Sequence, residues 1–288
     1  MKKIIPAGLL LLALVACGGG NAEPVLKFTA IPDQNTTGLV RKFTPVAEYL
    51  AATLEVPVKY VPSRDYQASV DMFKNGDIHM AWFGGLSGVQ ARNAVKGARA
   101  LVQGEVDPKF YAYFIAHRDS GLEPSGEFPI AIRDKRFTFG SQSSTSGRLM
   151  PEYFILKATG KTAMEFFTHP PAFSGSHPKT AELVESGRFE AGVLNYQVYD
   201  QRVAQGKTDP EICRIIWKTP PFADYNMTAH PELEKLFGAG FTDRLQKALL
   251  DIDDEKLLAS FGRKKLIPAK NEEFEGIRRV AQQLGMLR

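Results

Sequence analysis

Cysteine is nearly missing: Cys17 and Cys213 are the only two in 288 residues. If residue 17 has another role, no disulfide can staple the chain, and it must be held together by apolar burial. Cys213 has no histidine or second cysteine beside it at metal-ligand spacing, which argues against a zinc site. It lies in the apolar run Ile212-Cys213-Arg214-Ile215-Ile216-Trp217 and reads as a small buried hydrophobe. Charge of one sign is also scarce. The formal net charge is +4, part of it supplied by Lys2 and Lys3, and the other Lys and Arg residues are interspersed with acids. Such a pattern does not make a nucleic-acid surface, although a mild positive balance suits an anionic solute. Beyond residue 16 no apolar run approaches the roughly 20 residues that span a bilayer, so the chain is not itself a permease. The G-x-S-x-G elbow, the Walker loop, H-E-x-x-H and the dinucleotide glycine pattern are all absent. No resident metal or cofactor is implied, and no internal repeat is found.

What is present begins at Met1-Lys2-Lys3, followed by the apolar stretch Ile4–Val15 and then Ala16-Cys17. Two lysines, a short hydrophobic run and a small residue before a cleavage point make a secretory signal peptide of residues 1–16. Leu14-Val15-Ala16-Cys17 resembles the bacterial lipobox, which implies that Cys17 is lipidated and becomes the new N-terminus. Residues 17–24, with Gly18-Gly19-Gly20-Asn21, then read as a flexible tether. The expected location is the periplasm or outer cell surface, with the membrane reached through the lipid. The remainder is large for a single hydrophobic core, so two lobes are expected.

Short β-type runs alternate with helical stretches, which predicts an α/β fold with mostly parallel sheets. Leu26–Ile31 alternates with period two, Thr44-Pro45 reads as a helix start, and Val56–Val61 is a strand. Helix Tyr66–Phe73 stops at Asn75-Gly76, and strand Ile78–Phe83 leads into helix Ser87–Val95. The pattern restarts with strand Arg136–Gly140, a helix over 147–159, helix Ala181–Ser186, strand Ala191–Leu194 and a helix from Tyr196. From Pro231 the chain turns helix-rich, with Phe241–Leu250, Asp254–Ser260 and Glu272–Leu284 as helices.

The chemistry concentrates at loops before helices. Ser141-Gln142-Ser143-Ser144-Thr145-Ser146-Gly147 lies between a strand and a helix whose first turn holds Pro151. Hydroxyls and free N–H groups at a helix start form an anion site without any cationic side chain. Ser174-Gly175-Ser176-His177-Pro178 precedes a second helix, and His177 there could donate to an anion and take up charge on binding. Ser63-Arg64-Asp65-Tyr66 and Ala81-Trp82-Phe83-Gly84-Gly85-Leu86-Ser87 are further junctions of this kind. Each alone is an ordinary capped loop. Together, many donors with few bases fit binding better than catalysis, since α/β sheets bind ligands where helix starts converge.

Four segments in order carry a resemblance: Ser63-x-Asp65-Tyr66; Asn75-Gly76-Asp77-Ile78-His79-Met80-Ala81-Trp82-Phe83-Gly84; Ser144-Thr145-Ser146-Gly147 with Pro151; and Gly175-Ser176-His177. They resemble the phosphate/phosphite/phosphonate ABC-transporter substrate-binding proteins (PhnD-like). Pro221-Phe222-Ala223-Asp224-Tyr225 and Ser260-Phe261-Gly262 are similar to the subgroup labelled selenate-binding. The resemblance implies a type II periplasmic-binding-protein fold: two α/β lobes, two crossover segments and a helical C-terminal region. Lobe 1 would be residues 25–115 with 226–288 and lobe 2 residues 116–225, with crossovers near Phe114–His117 and Pro221–Asn226. It assigns Ser144, Thr145, Ser146 and His177 to a small oxyanion, with Tyr66 facing it from the other lobe. Trp82 would wall the pocket and Tyr111 would fill a second aromatic position. The implied role is capture of a selenate, selenite, phosphite, phosphate or phosphonate anion for an ABC permease and its ATPase, by a monomer that is not an enzyme. Two departures stand out. Val193-Leu194-Asn195-Tyr196 lacks the acid that would hold an amine-bearing ligand, and Phe110-Tyr111-Ala112 lacks a serine. A proton-bearing anion would need a carboxylate acceptor, with Asp65 and Asp224 as candidates. An anion sensor, or an enzyme using His177 with a serine, stays open as an alternative.

Overall fold

The computed structural model describes residues 23–34 and 36–287. The expected signal peptide and Cys17 lie outside them. Two sheets organise the molecule. The first contains β1 (Leu26–Ala30), β2 (Val58–Tyr60), β3 (Met80–Phe83), β4 (Arg99–Gly104), β10 (Asn226–Ala229) and β11 (Leu266–Pro268), in the order β11-β4-β10-β3-β1-β2. The second contains β5 (Ala112–His117), β6 (Phe137–Phe139), β7 (Ala172–Phe173), β8 (Ala191–Asn195) and β9 (Cys213–Lys218), in the order β7-β6-β8-β5-β9.

The sheets are mixed rather than mostly parallel. β1 runs parallel to β2 and β3, and β6 to β7 and β8. The strands that receive the chain after each crossing run the other way: β10 sits antiparallel between β3 and β4, and β5 antiparallel between β8 and β9. A strand entering directly from the other lobe needs no crossover helix, so nothing forces it parallel. The first crossing therefore spans residues 105–111, and Phe114–His117, expected at that crossing, form strand β5 itself. The second spans 219–225, beginning two residues before the expected Pro221. The two crossings pair as a short ribbon. Phe110 N–H donates to Phe222 O and Phe222 N–H to Phe110 O, each at 2.8 Å, and Asp224 N–H donates to Asp107 O at 3.1 Å.

Helices cover the sheets: α1 (Thr36–Leu54), α2 (Tyr66–Lys74), α3 (Gly85–Ala94), α4 (Met150–Thr159), α5 (Ala163–Phe166), α6 (His177–Glu185), α7 (Tyr196–Ala204), α8 (Glu232–Phe237), α9 (Phe241–Leu250), α10 (Glu255–Phe261) and α11 (Glu275–Gln283). The helix expected to start at Thr44-Pro45 is already formed before it, and Pro45 lies inside α1. Pro45 is on the exposed face, where the carbonyl it leaves without a helical donor can face solvent. Phe43, Val46 and Leu50 turn inward on the same helix. The C-terminal helices return to the first lobe: α9 and α10 pack on α1, and α11 on α3. Phe110, Phe222 and Tyr225 of the crossings join one apolar core that runs through both lobes. Among the described residues, no helix is long and apolar enough to cross a membrane.

Candidate ligand site

Four helix starts converge between the lobes. After β6, Ser144 caps a π-helical turn over Thr145–Leu149, and regular α4 begins only at Met150. Ser144 Oγ accepts Gly147 N–H at 2.9 Å, and Leu149 N–H reaches back to Ser144 O at 3.0 Å. Wide turns of this kind gather at functional sites because they re-aim the first residues of a helix. Gly147 is required by closeness: a Cβ there would lie 2.9 Å from Ser144 Oγ and 3.1 Å from His177 Cε1. Ser144, Thr145 and Ser146 are all buried.

His177 opens α6 and is also buried. Its Nδ1 accepts the N–H of Asn195, the last residue of β8, at 3.3 Å. A ring nitrogen that accepts carries no proton, so the hydrogen sits on Nε2. Nε2 is buried without a partner. Burial drives the pKa down to about 3, so without ligand the imidazole is a neutral donor.

Tyr66 opens α2, and its hydroxyl is directed at Ser144 but makes no hydrogen bond of normal geometry. Burial, together with the charges of Asp33 and Asp224, holds the phenol well above its ordinary pKa, so it too stays a donor. Asp224, in the second crossing, is buried beside them. Its Oδ1 takes the N–H of Gly85 at 2.9 Å, while Oδ2 is buried without a partner. Desolvation pushes this carboxyl up to about 7, against weaker lowering by the Gly85 N–H and the Thr145 hydroxyl. Gly85 has to be glycine for that approach, because a Cβ would stand 2.9 Å from Ala223 O. Asp65, the other candidate, is exposed, caps α2 through Ala68 N–H at 2.7 Å and pairs with Arg64.

The site residues are not equivalent. Thr145 Oγ1 accepts Leu86 N–H across the cleft at 2.9 Å and faces Asp224, so its hydroxyl is engaged within the protein. Trp82, at the end of β3, stacks on Tyr225 with centroids 5.9 Å apart and borders a neighbouring cavity of about 230 Å³. Tyr111 stands apart: its ring stacks on Tyr196 at 3.9 Å, with Lys218 Nζ 3.7 Å above it. Tyr225, Asn195, Asp33 and Arg263 were not singled out as site residues from sequence, and all four line the cavity.

Two buried donors, the Tyr66 hydroxyl and His177 Nε2–H, and one buried oxygen, Asp224 Oδ2, lie without partners among these helix starts. A family model described as the periplasmic substrate-binding protein of an ABC phosphonate transporter matches residues 28–274. The chain belongs to this family. It is 35% identical over 295 residues to the probable ABC transporter phosphite-binding protein PhnD1 of Prochlorococcus marinus, covering 100% of this chain and 99% of that one. The structure of PhnD1 in complex with methylphosphonate matches with a TM-score of 0.85 and 37% identity, over 91% of this chain and 98% of that chain. The phosphate-import protein PhnD of Mycolicibacterium smegmatis is 25% identical over 223 residues, 72% of this chain and 67% of that one. The fold is thus the type II periplasmic-binding-protein fold, and the protein is a substrate-binding component of an ABC importer.

Proposed function

We propose that the cleft captures a proton-bearing phosphorus oxyanion with no substituent or a very small one, such as phosphite or methylphosphonate. The observation that carries this is the lone acceptor Asp224 Oδ2 among donors Tyr66 and His177 Nε2–H. Once ionised, above its pKa of about 7, this carboxylate repels a proton-free dianion, whereas an anion with one O–H satisfies it. Selenate and sulfate carry no proton at neutral pH and rank behind. The phosphite-binding name of PhnD1 and its methylphosphonate complex support the same class. Ser144, Ser146, His177, Tyr66 and the Thr145 backbone are the proposed contacts, with Trp82 behind them; Tyr111 is left out. His177 carries its proton on the free nitrogen and is oriented by a backbone N–H, so it cannot act as base for a serine; this favours binding over catalysis. We also propose that residues 25–104 with 226–288 close on residues 112–218. Lipidated Cys17 would hold the monomer near its permease.

The test is calorimetry at pH 7 with phosphite, methylphosphonate, phosphate, sulfate, selenate and 2-aminoethylphosphonate. Phosphite or methylphosphonate should bind at micromolar Kd or tighter, about −8 kcal/mol. In Asp224→Asn the amide keeps Oδ1 for Gly85 and turns a donor to the ligand. Phosphite should then weaken about tenfold or more, and sulfate should gain. If the wild type prefers sulfate, or the variant keeps its ranking, the proton-acceptor reading is wrong.

A further inference from the structure

Two sets of hydrogen bonds join the lobes outside the anion site. Arg263, just beyond α10, belongs to the first lobe and is buried. Its guanidinium donates to both carboxylate oxygens of Asp107 in the first crossing. It also donates to Oε1 of Gln197, in α7 of the second lobe, and Gln197 Nε2 donates back to Gly262 O at 3.4 Å. The rings of Trp82, Phe110 and Tyr225 face the guanidinium at 5.7, 5.6 and 4.9 Å. In the second set, Tyr225 OH of the second crossing donates to Asp33 Oδ2 of the first lobe at 2.7 Å. The same hydroxyl accepts Asn195 Nδ2–H of the second lobe at 3.0 Å. Both sets line the cavity beside the anion site, and neither uses its unpartnered atoms.

We propose that Gln197–Arg263 and Asp33–Tyr225–Asn195 form a latch that holds the lobes closed without ligand and sets affinity from outside the anion site. Arg263 is pre-positioned for it. Asp107, Phe261 O and Gly262 O hold the guanidinium from its own lobe and the crossing segment, so Gln197 meets a donor already in place. Tyr225 sits on the crossing about which the lobes turn and can bond both sides at once only when they are together. An apparent dissociation constant rises as the competent fraction of the free protein falls, so each latch bond multiplies affinity by its effect on that fraction. A net hydrogen bond is worth about two- to tenfold in such an equilibrium.

This rests on the oxyanion reading only for its affinity readout. The test is interlobe energy transfer on the free protein, one dye on each lobe, together with phosphite dissociation rates. Wild type should show a mainly closed population, and Gln197→Ala and Tyr225→Phe should each move it toward open by about two- to tenfold. Phosphite should leave each variant faster by a similar factor. Neither change removes a group assigned to the anion. A free wild type as open as the variants overturns the latch, as does an unchanged distance distribution in Gln197→Ala. Should phosphite bind no form at all, the ligand reading fails, and the free-protein distances still decide the latch.

Discussion

At the scale of single residues, the site works through protonation states fixed by neighbours. His177 is the clearest case, because one backbone N–H chooses its tautomer and burial keeps it neutral. Replacing it with glutamine should weaken phosphite about tenfold or more, the range for a hydrogen bond to a charged group. The same burial has a consequence for stability. The folded pKa, about 3, lies below the ordinary 6.5, so below pH 6.5 the unfolded chain takes up a proton that the folded one refuses. Wild type should therefore lose stability at this position as pH falls from about 6.5 toward 3, and His177→Gln should not. The Tm gap between them, measured without ligand, should narrow on acidification; a gap constant with pH would mean the imidazole is charged in the fold. Asp224 shows why only part of the site was legible. Asp65 and Asp224 both lie before apolar segments, and sequence offered both as the acceptor. The spacing of Asp65 to Ala68 marks an N-cap, which assigns it to its own helix. Only the return of the second crossing to Gly85, 139 residues away, reveals Asp224.

At the scale of elements, the hydroxyl loop before α4 was readable because its signals are local: a strand, a glycine, and a proline best tolerated in a first turn. The return strands were harder. β10 pairs with β3 and β4 across more than a hundred residues, and no local period announces an antiparallel strand inserted there. The setting of Tyr111 was hidden for a similar reason, since its partner Tyr196 lies on another element and only the fold brings them together. Two substitutions test elements rather than contacts. Gly147→Ala should push Ser144 and His177 apart and weaken phosphite at least tenfold while leaving the far-ultraviolet circular dichroism intact, because the crowding is confined to one loop. Pro45→Ala should restore a donor inside α1 and raise stability by about 1–2 kcal/mol, after the unfolded chain's added freedom is subtracted. A fall in Tm would show that the exposed proline is doing something other than interrupting the helix.

At the scale of the whole molecule, two lobes share one core through paired crossings, so the proposed closure would be a motion about a narrow ribbon. Ligand present at 100 times its Kd should raise stability by about 2.7 kcal/mol, seen as a shifted melting transition, and a dianion that fails to bind should leave it unmoved. Cys17→Ser should release the protein from the membrane fraction of cells without altering phosphite affinity in vitro; retention in the membrane would mean another anchor. The other cysteine has a practical meaning. Cys213 is buried in the smaller apolar cluster of the second lobe, and its thiol is pushed up to about 12. In a chain begun at Gly18 it is the sole sulfhydryl, and one too protonated and too hidden to react with maleimides. The molecule is therefore a blank background for engineered labels, and a dye pair placed across its cleft would make it a reagentless optical sensor for the anion it holds.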